Sequence, residues 1–216
     1  MIRNILWDVD GVLFDTHPAI TYALSRSLNG MGLTVAMNEI DGLVQKSLDV
    51  CIATLSRRFR LDPDLLRLRF AESYLAVPPA NQPPFPGVRE TCRLIQERGG
   101  RNVIVTHRRV ESVQQLLKAH ALEKMFTGIY SAGQGDPDNT GTVMLEAAIQ
   151  HFALKRMETL AVGCRAVDIQ AGRAAGVHTC LFGDIQISVP ADLQILCYSQ
   201  LFAWLAEQNQ HERKDR

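Results

Sequence analysis

Beyond residue 85, short apolar runs alternate with helix-length amphipathic stretches, and few folds accept that alternation. The pattern predicts a helix over 88–97 closed by Gly99 and Gly100, a strand over 102–105, a helix over 111–120 and a strand over 128–130. It continues with a helix over 142–152, a strand over 159–162, a helix over 168–175, a strand over 178–182, an apolar run over 193–196 and a last helix over 200–208. The charged tail, 211–216, is expected to fray. Near the N-terminus, Ile5, Leu6 and Trp7 make one more apolar run, which ends abruptly in Asp8. Strands alternating with helices of these lengths imply a parallel sheet covered on both faces, so the fold class is α/β. Acid at the end of a buried strand stands where ligands bind in such folds.

One stretch interrupts the alternation. From His17 to about Pro84 the apolar positions follow helical spacing only. Pro18 starts a helix through Ile20, Ala23, Leu24 and Leu28 that Asn29 and Gly30 end. A second helical stretch joins Ile40, Leu43, Val44, Leu48, Ile52 and Leu55, and a third runs from Asp62 and Pro63 to Tyr74. Five of the nine prolines fall between Pro78 and Pro86, a stiff composition suited to the return of the chain into another domain. The expected division is a core of 1–16 and 85–216 with a helical insertion over 17–84.

Composition narrows the function classes. The 216 residues carry 23 basic and 23 acidic side chains and 46% hydrophobic ones, which excludes a disordered chain and a polybasic nucleic-acid binder. No apolar run approaches the roughly 18 residues of a membrane span, and the chain reads as cytoplasmic. The cysteines (Cys51, Cys92, Cys164, Cys180 and Cys197) include no closely spaced pair, so a disulfide framework or thiolate zinc site is not indicated.

The chemistry concentrates after the first strand. Asp8-Val9-Asp10-Gly11-Val12-Leu13-Phe14-Asp15-Thr16 sets two carboxylates two residues apart, ahead of a glycine that permits a sharp turn. Such a pair can divide labour between nucleophile and proton carrier. Here the sequence resembles the haloacid dehalogenase superfamily, in its phosphoglycolate-phosphatase and β-phosphoglucomutase-like branch, whose first motif is DxDGxxxDS or DxDGxxxDT. The resemblance implies a Rossmann-like core with an inserted helical cap. It makes Asp8 the nucleophile that forms an aspartyl-phosphate, and Asp10 the acid and base. Thr106, at the end of the 102–105 strand, resembles the second motif's phosphate-binding hydroxyl, and the neighbouring His107 and Arg108 are further candidate phosphate contacts.

Two later motifs depart from the family. Its third carries a lysine before the helix corresponding to 142–152, whereas Gln134 to Thr142 holds no lysine or arginine, and Asn139 falls nearest the place. Lys118, Lys124 and Lys155 are expected to face solvent. The fourth motif, GDxxxD, helps hold Mg²⁺. Here Gly163 and Asp168 are kept while Cys164 replaces the first aspartate, a poor ligand for a hard cation. A weakened Mg²⁺ site of Asp8, Asp10 and Asp168 is the expectation, with Arg108 or Arg165 as substitute cations. In the insertion, Lys46 is the candidate contact for an anionic substrate. The implied function is hydrolysis of a small phosphorylated metabolite at a reduced rate. The alternative is a degenerate member that binds such a metabolite, or a protein partner, without turnover.

Overall fold

The computed structural model describes residues 1–131, 141–183 and 190–214, with side chains through 208. The chain divides into two compact units, Met1–Phe14 with Pro84–Arg216, and Asp15–Pro83.

In the first unit, strands β1 (Asn4–Trp7), β2 (Arg101–Thr106), β3 (Gly128–Ser131), β4 (Thr159–Gly163), β5 (His178–Phe182) and β6 (Leu193–Ile195) form one sheet. The order is β3-β2-β1-β4-β5-β6, and every described pairing is parallel. The chain therefore builds outward from β1 first to one side and then to the other. That reversal leaves a crevice at the carboxyl ends of β1, β2 and β4, the place where doubly wound sheets bind ligands. Register puts Trp7 beside Ile104 on one side and Val162 on the other, so the residues following all three strands meet.

The strands read as apolar runs because both faces are covered. Ile5 and Trp7 join Ile104, Leu160 and Val162 in one core, while Leu6 joins Val103, Val105 and Ala161 in the other. The period of two along a strand sends neighbours to opposite faces. Numbered in chain order, helices α5 (Val88–Glu97), α6 (Val110–Ala119) and α9 (Tyr198–Lys214) supply the first core with Cys92, Leu116 and Leu201. Helices α7 (Gly141–His151) and α8 (Ala166–Ala174) supply the second with Met144, Ile149 and Ala171. The last helix runs past residue 208 into the tail expected to fray, since no glycine or proline interrupts the sequence from Gln200 to Lys214.

The second unit is helical: α1 (His17–Gly30), α2 (Met37–Val44), α3 (Leu48–Phe59) and α4 (Pro63–Leu75), around Leu24, Leu28, Ile40, Ile52, Leu55 and Leu66. The stretch read as one helix from Ile40 to Leu55 is two. Ser47 is extended and its side chain accepts from Val50 N at 3.0 Å, capping α3 and breaking the run. No helix among the described residues is long and apolar enough to cross a membrane.

A buried amide ties the centre of the first unit together. Asn102 Oδ1 accepts from Trp7 Nε1 at 3.1 Å, and Asn102 Nδ2 donates to the carbonyls of Cys92 at 2.9 Å and Met125 at 3.1 Å. An alanine there strands a buried indole N–H and two carbonyls. Asn102→Ala is expected to cost about 2 to 4 kcal/mol in urea unfolding, and a loss below about 0.5 kcal/mol would show that the amide is replaceable by water.

Candidate active site

The turn after β1 is shaped by its own backbone. Leu13 and Phe14 N–H groups both donate to the Val9 carbonyl at 3.1 Å, and Gly11 sits at φ 70°, a conformation that a side chain resists. Tyr198, fully buried at the start of α9, donates its hydroxyl to the Val12 carbonyl at 2.8 Å and holds the turn from behind. Asp8 and Asp10 are thereby presented at the mouth of the crevice. Thr106 ends β2 beside them, and Gly163 ends β4 opposite. The open recess between is lined by Asp8, Thr106, His107, Gly163, Arg165 and Asp168, with Met144 and Leu145 of α7 on its apolar wall.

Each of the three aspartates has a different environment. Asp10 is gripped by Arg108, whose Nε lies 3.0 and 2.8 Å from the two carboxylate oxygens and whose Nη2 lies 2.8 Å from Oδ1. This is the two-pronged geometry in which guanidinium and carboxylate pair most strongly. Arg108 is itself positioned: Nη1 donates to Ser112 Oγ at 3.1 Å, its N–H donates to Thr106 Oγ1 at 3.2 Å, and its carbonyl accepts from Ser131 Oγ at 2.6 Å. Its side chain is only 10% exposed.

Asp168 is held by the start of its own helix. Its Oδ2 accepts the N–H groups of Cys164 at 3.2 Å and Arg165 at 2.9 Å, together with Arg165 Nε at 3.3 Å, and its Oδ1 accepts Arg165 Nη2 at 2.8 Å. One of these donors is the N-cap amide of α8, satisfied by Asp168 at the third helical position in a capping box, and the other lies one residue before the cap. The approach is close enough to demand glycine. A Cβ on residue 163 would fall 2.3 Å from that of Asp168.

Asp8 is the least restrained of the three. Oδ1 accepts from Val9 N at 2.8 Å, and Oδ2 stands 3.9 Å from Arg165 Nη2, within Coulombic range but beyond hydrogen-bond reach. Burial, the Asp168 carboxylate and, less strongly, Asp10 push Asp8 up to about 7, against the pull of Arg165 and of the Val9 N–H. Desolvation pulls the Arg165 guanidinium down, but Asp168 and Asp8 outweigh it and hold it above its ordinary value. Burial, with Asp8 and Asp168 nearby, pushes the Cys164 thiol far up, so it stays protonated. Its Sγ donates to the Asp10 carbonyl at 3.5 Å.

The donor set can be tested against the Mg²⁺ implied by the family resemblance. The ligand atoms of Asp8, Cys164 and Asp168 lie within 4.8 Å of one another, a spacing compatible with an ion. Their chemistry is not. Mg²⁺ demands oxygen ligands in near-octahedral array, whereas one of the three is a protonated thiol directed at the Asp10 carbonyl. Asp168 is engaged by four N–H contacts, and a guanidinium spans it and Asp8. These residues do not suit Mg²⁺.

Of the residues singled out from sequence, Asp8, Thr106, His107, Arg165 and Asp168 line one recess, while Asp10 and Arg108 pair with each other and are not among its lining residues. Asn139 lies outside the described residues, so the lysine position of the third motif has no structural counterpart to report. Lys118, Lys124 and Lys155 are exposed. Lys46 belongs to the helical unit, where it is exposed in the turn ahead of α3. Sequence reasoning passed over Ser112, Ser131 and Tyr198. Ser131 had a detectable signal, since it closes β3 in register with Thr106.

Fold and site together define a doubly wound α/β protein that presents a pair of aspartates at its topological switch point. The chain belongs to the haloacid dehalogenase-like hydrolase family, whose profile matches residues 5–182. It is 25% identical over 187 residues to a phosphoglycolate phosphatase of Aliivibrio fischeri, covering 82% of each chain, and 28% identical over 188 residues to the pyrophosphatase PpaX of Halalkalibacterium halodurans, covering 84% of each. Among solved structures, CbbY of Rhodobacter sphaeroides in complex with phosphate superposes with a TM-score of 0.75 at 18% identity, over 93% of this chain and 96% of the other.

Because Asp8 binds a proton more tightly when folded than its ordinary 3.8 allows, it favours the fold at low pH. That contribution is lost as pH rises through about 7, leaving a buried charge that opposes folding. Asp8→Asn removes the cost. Its stability relative to wild type is expected to improve by about 1 to 3 kcal/mol between pH 5 and pH 8, read from thermal unfolding; a difference that does not change with pH would refute the buried-charge reading.

Proposed function

We propose that the chain binds a small phosphate monoester over Asp8 and hydrolyses it slowly. The observation that carries this reading is the unequal restraint of the three aspartates. Among the described residues, Asp8 has one hydrogen bond and an open face on the recess, while Asp10 and Asp168 are each gripped by an arginine. In this reading an Asp8 oxygen attacks phosphorus and the bond to the leaving oxygen breaks, forming an aspartyl-phosphate that water then cleaves. Thr106 and Arg165 both line the recess, and in this reading the Thr106 hydroxyl and the Arg165 guanidinium donate to the phosphoryl oxygens. The named activities of the relatives, a phosphoglycolate phosphatase and a pyrophosphatase, support a small phosphorylated substrate.

Slowness follows from Asp10. The leaving oxygen needs a proton as it departs, and in this reading Asp10 supplies it. A carboxylate forked by a guanidinium serves as an acceptor, so it must leave Arg108 before it can donate. The same fork favours a second reading, in which the site binds a phosphorylated metabolite without turning it over.

A panel of small phosphate esters and an aryl phosphate, with Asp8→Asn as control, separates the two. The expected result is turnover at least about 100-fold below a typical kcat of roughly 10 s⁻¹, abolished in the control. Binding without turnover would select the second reading, and turnover indifferent to Asp8→Asn would contradict the role of Asp8.

A further inference from the structure

The family's metal position is crossed here by a side chain of the protein itself. Arg165 Nη2 lies 2.8 Å from Asp168 Oδ1 and 3.9 Å from Asp8 Oδ2, so the guanidinium spans the two carboxylates between which a divalent cation would have to sit. Arg165 is the first residue after Cys164, the position where the family's acid is lost. The two residues are chemically complementary. A thiol in place of a carboxylate removes one negative charge and one hard ligand. The arginine beside it supplies a positive charge that needs no ligands. Among the described residues, three carboxylates (Asp8, Asp10 and Asp168) face two guanidiniums (Arg108 and Arg165) before any substrate arrives.

We infer that the Arg165 guanidinium is the resident cation of this site, so that the recess holds a tetrahedral oxyanion without a divalent metal. Arg165 is suited to this. A guanidinium keeps its charge at any working pH and can hold Asp168 with one edge while presenting other N–H groups to an oxyanion. Its side chain is 35% exposed, so part of it is open to a ligand in the recess. Asp168 becomes the anchor that orients Arg165, and no longer a metal ligand. The inference rests on the reading of the recess as a phosphate site only for its oxyanion half. The cation half stands on the geometry around Asp168.

The two halves are tested separately. Mn²⁺, followed by electron paramagnetic resonance, probes the cation position without any substrate. Wild type is expected to show no Mn²⁺ site that depends on Asp8, and Cys164→Asp with Arg165→Ser is expected to gain one. Mn²⁺ bound to wild type and lost in Asp8→Asn overturns the inference, whether or not the double variant folds. Inorganic phosphate, titrated calorimetrically, probes the oxyanion. Its affinity is expected to change less than about twofold between EDTA and excess Mg²⁺, and to fall about 10-fold or more in Arg165→Gln, with partial recovery in Arg165→Lys. Phosphate binding that requires Mg²⁺ overturns the inference. Absence of phosphate binding under every condition defeats the phosphate-site reading and the oxyanion half with it, while the Mn²⁺ result still decides what occupies the cation position.

Discussion

Carboxylates crowded at the end of a buried strand repel one another, and the site is organised by how that repulsion is relieved. At an effective dielectric of about 20, two unit charges near 5 Å apart cost about 3 kcal/mol. Asp8 and Asp168 offer oxygens within 4.8 Å of each other, and Asp10 adds to the same field. Two arginines answer it, one on Asp10 and one across Asp168 and Asp8. The relief is uneven. Asp10 and Asp168 receive close, multiple hydrogen bonds, while Asp8 receives a guanidinium at a distance and a single amide. Burial and the Asp168 carboxylate push the Asp8 carboxyl up to about 7. The close grip on Asp10 and the open face of Asp8 arise from the same distribution of positive charge.

That distribution depends on features far from the charges. The outward growth of the sheet from β1 in both directions brings residues 8, 106 and 163 together. Gly11 permits the turn that carries Asp10 back over the strand end, and the Tyr198 hydroxyl, contributed almost two hundred residues later in the chain, ties that turn to α9. Gly163 lets Asp168 approach the end of β4 closely enough to take the amides of Cys164 and Arg165, which in turn directs the Arg165 side chain back over the carboxylate. Ser112, Thr106 and Ser131 fix Arg108 from three elements.

Much of this was legible before any coordinates. The alternation of apolar runs and helices carried the parallel sheet, and β5 and α5 have the boundaries their residues imply, since glycine or charge punctuates both ends. The paired aspartates, Thr106 and Asp168 were recognisable because each follows a strand in a motif with fixed spacing. The pairing of cations was less legible. Arg165 and Asp168 are three residues apart on a helix start, a spacing that brings side chains together. Arg108 and Asp10 are 98 residues apart, and no local pattern announces their meeting. The role of Ser47 as a helix cap was hidden inside an apolar periodicity that continued across the break.

The central claim, that a guanidinium stands where this fold would otherwise place a metal, is open to a direct view. Crystals grown without metal and soaked in excess Mn²⁺ with inorganic phosphate would give anomalous difference density at any bound ion. The account predicts phosphate density within hydrogen-bond reach of Arg165 and Thr106 and no anomalous peak between Asp8 and Asp168. A Mn²⁺ peak coordinated by both carboxylates, with Arg165 displaced from Asp168, would contradict it.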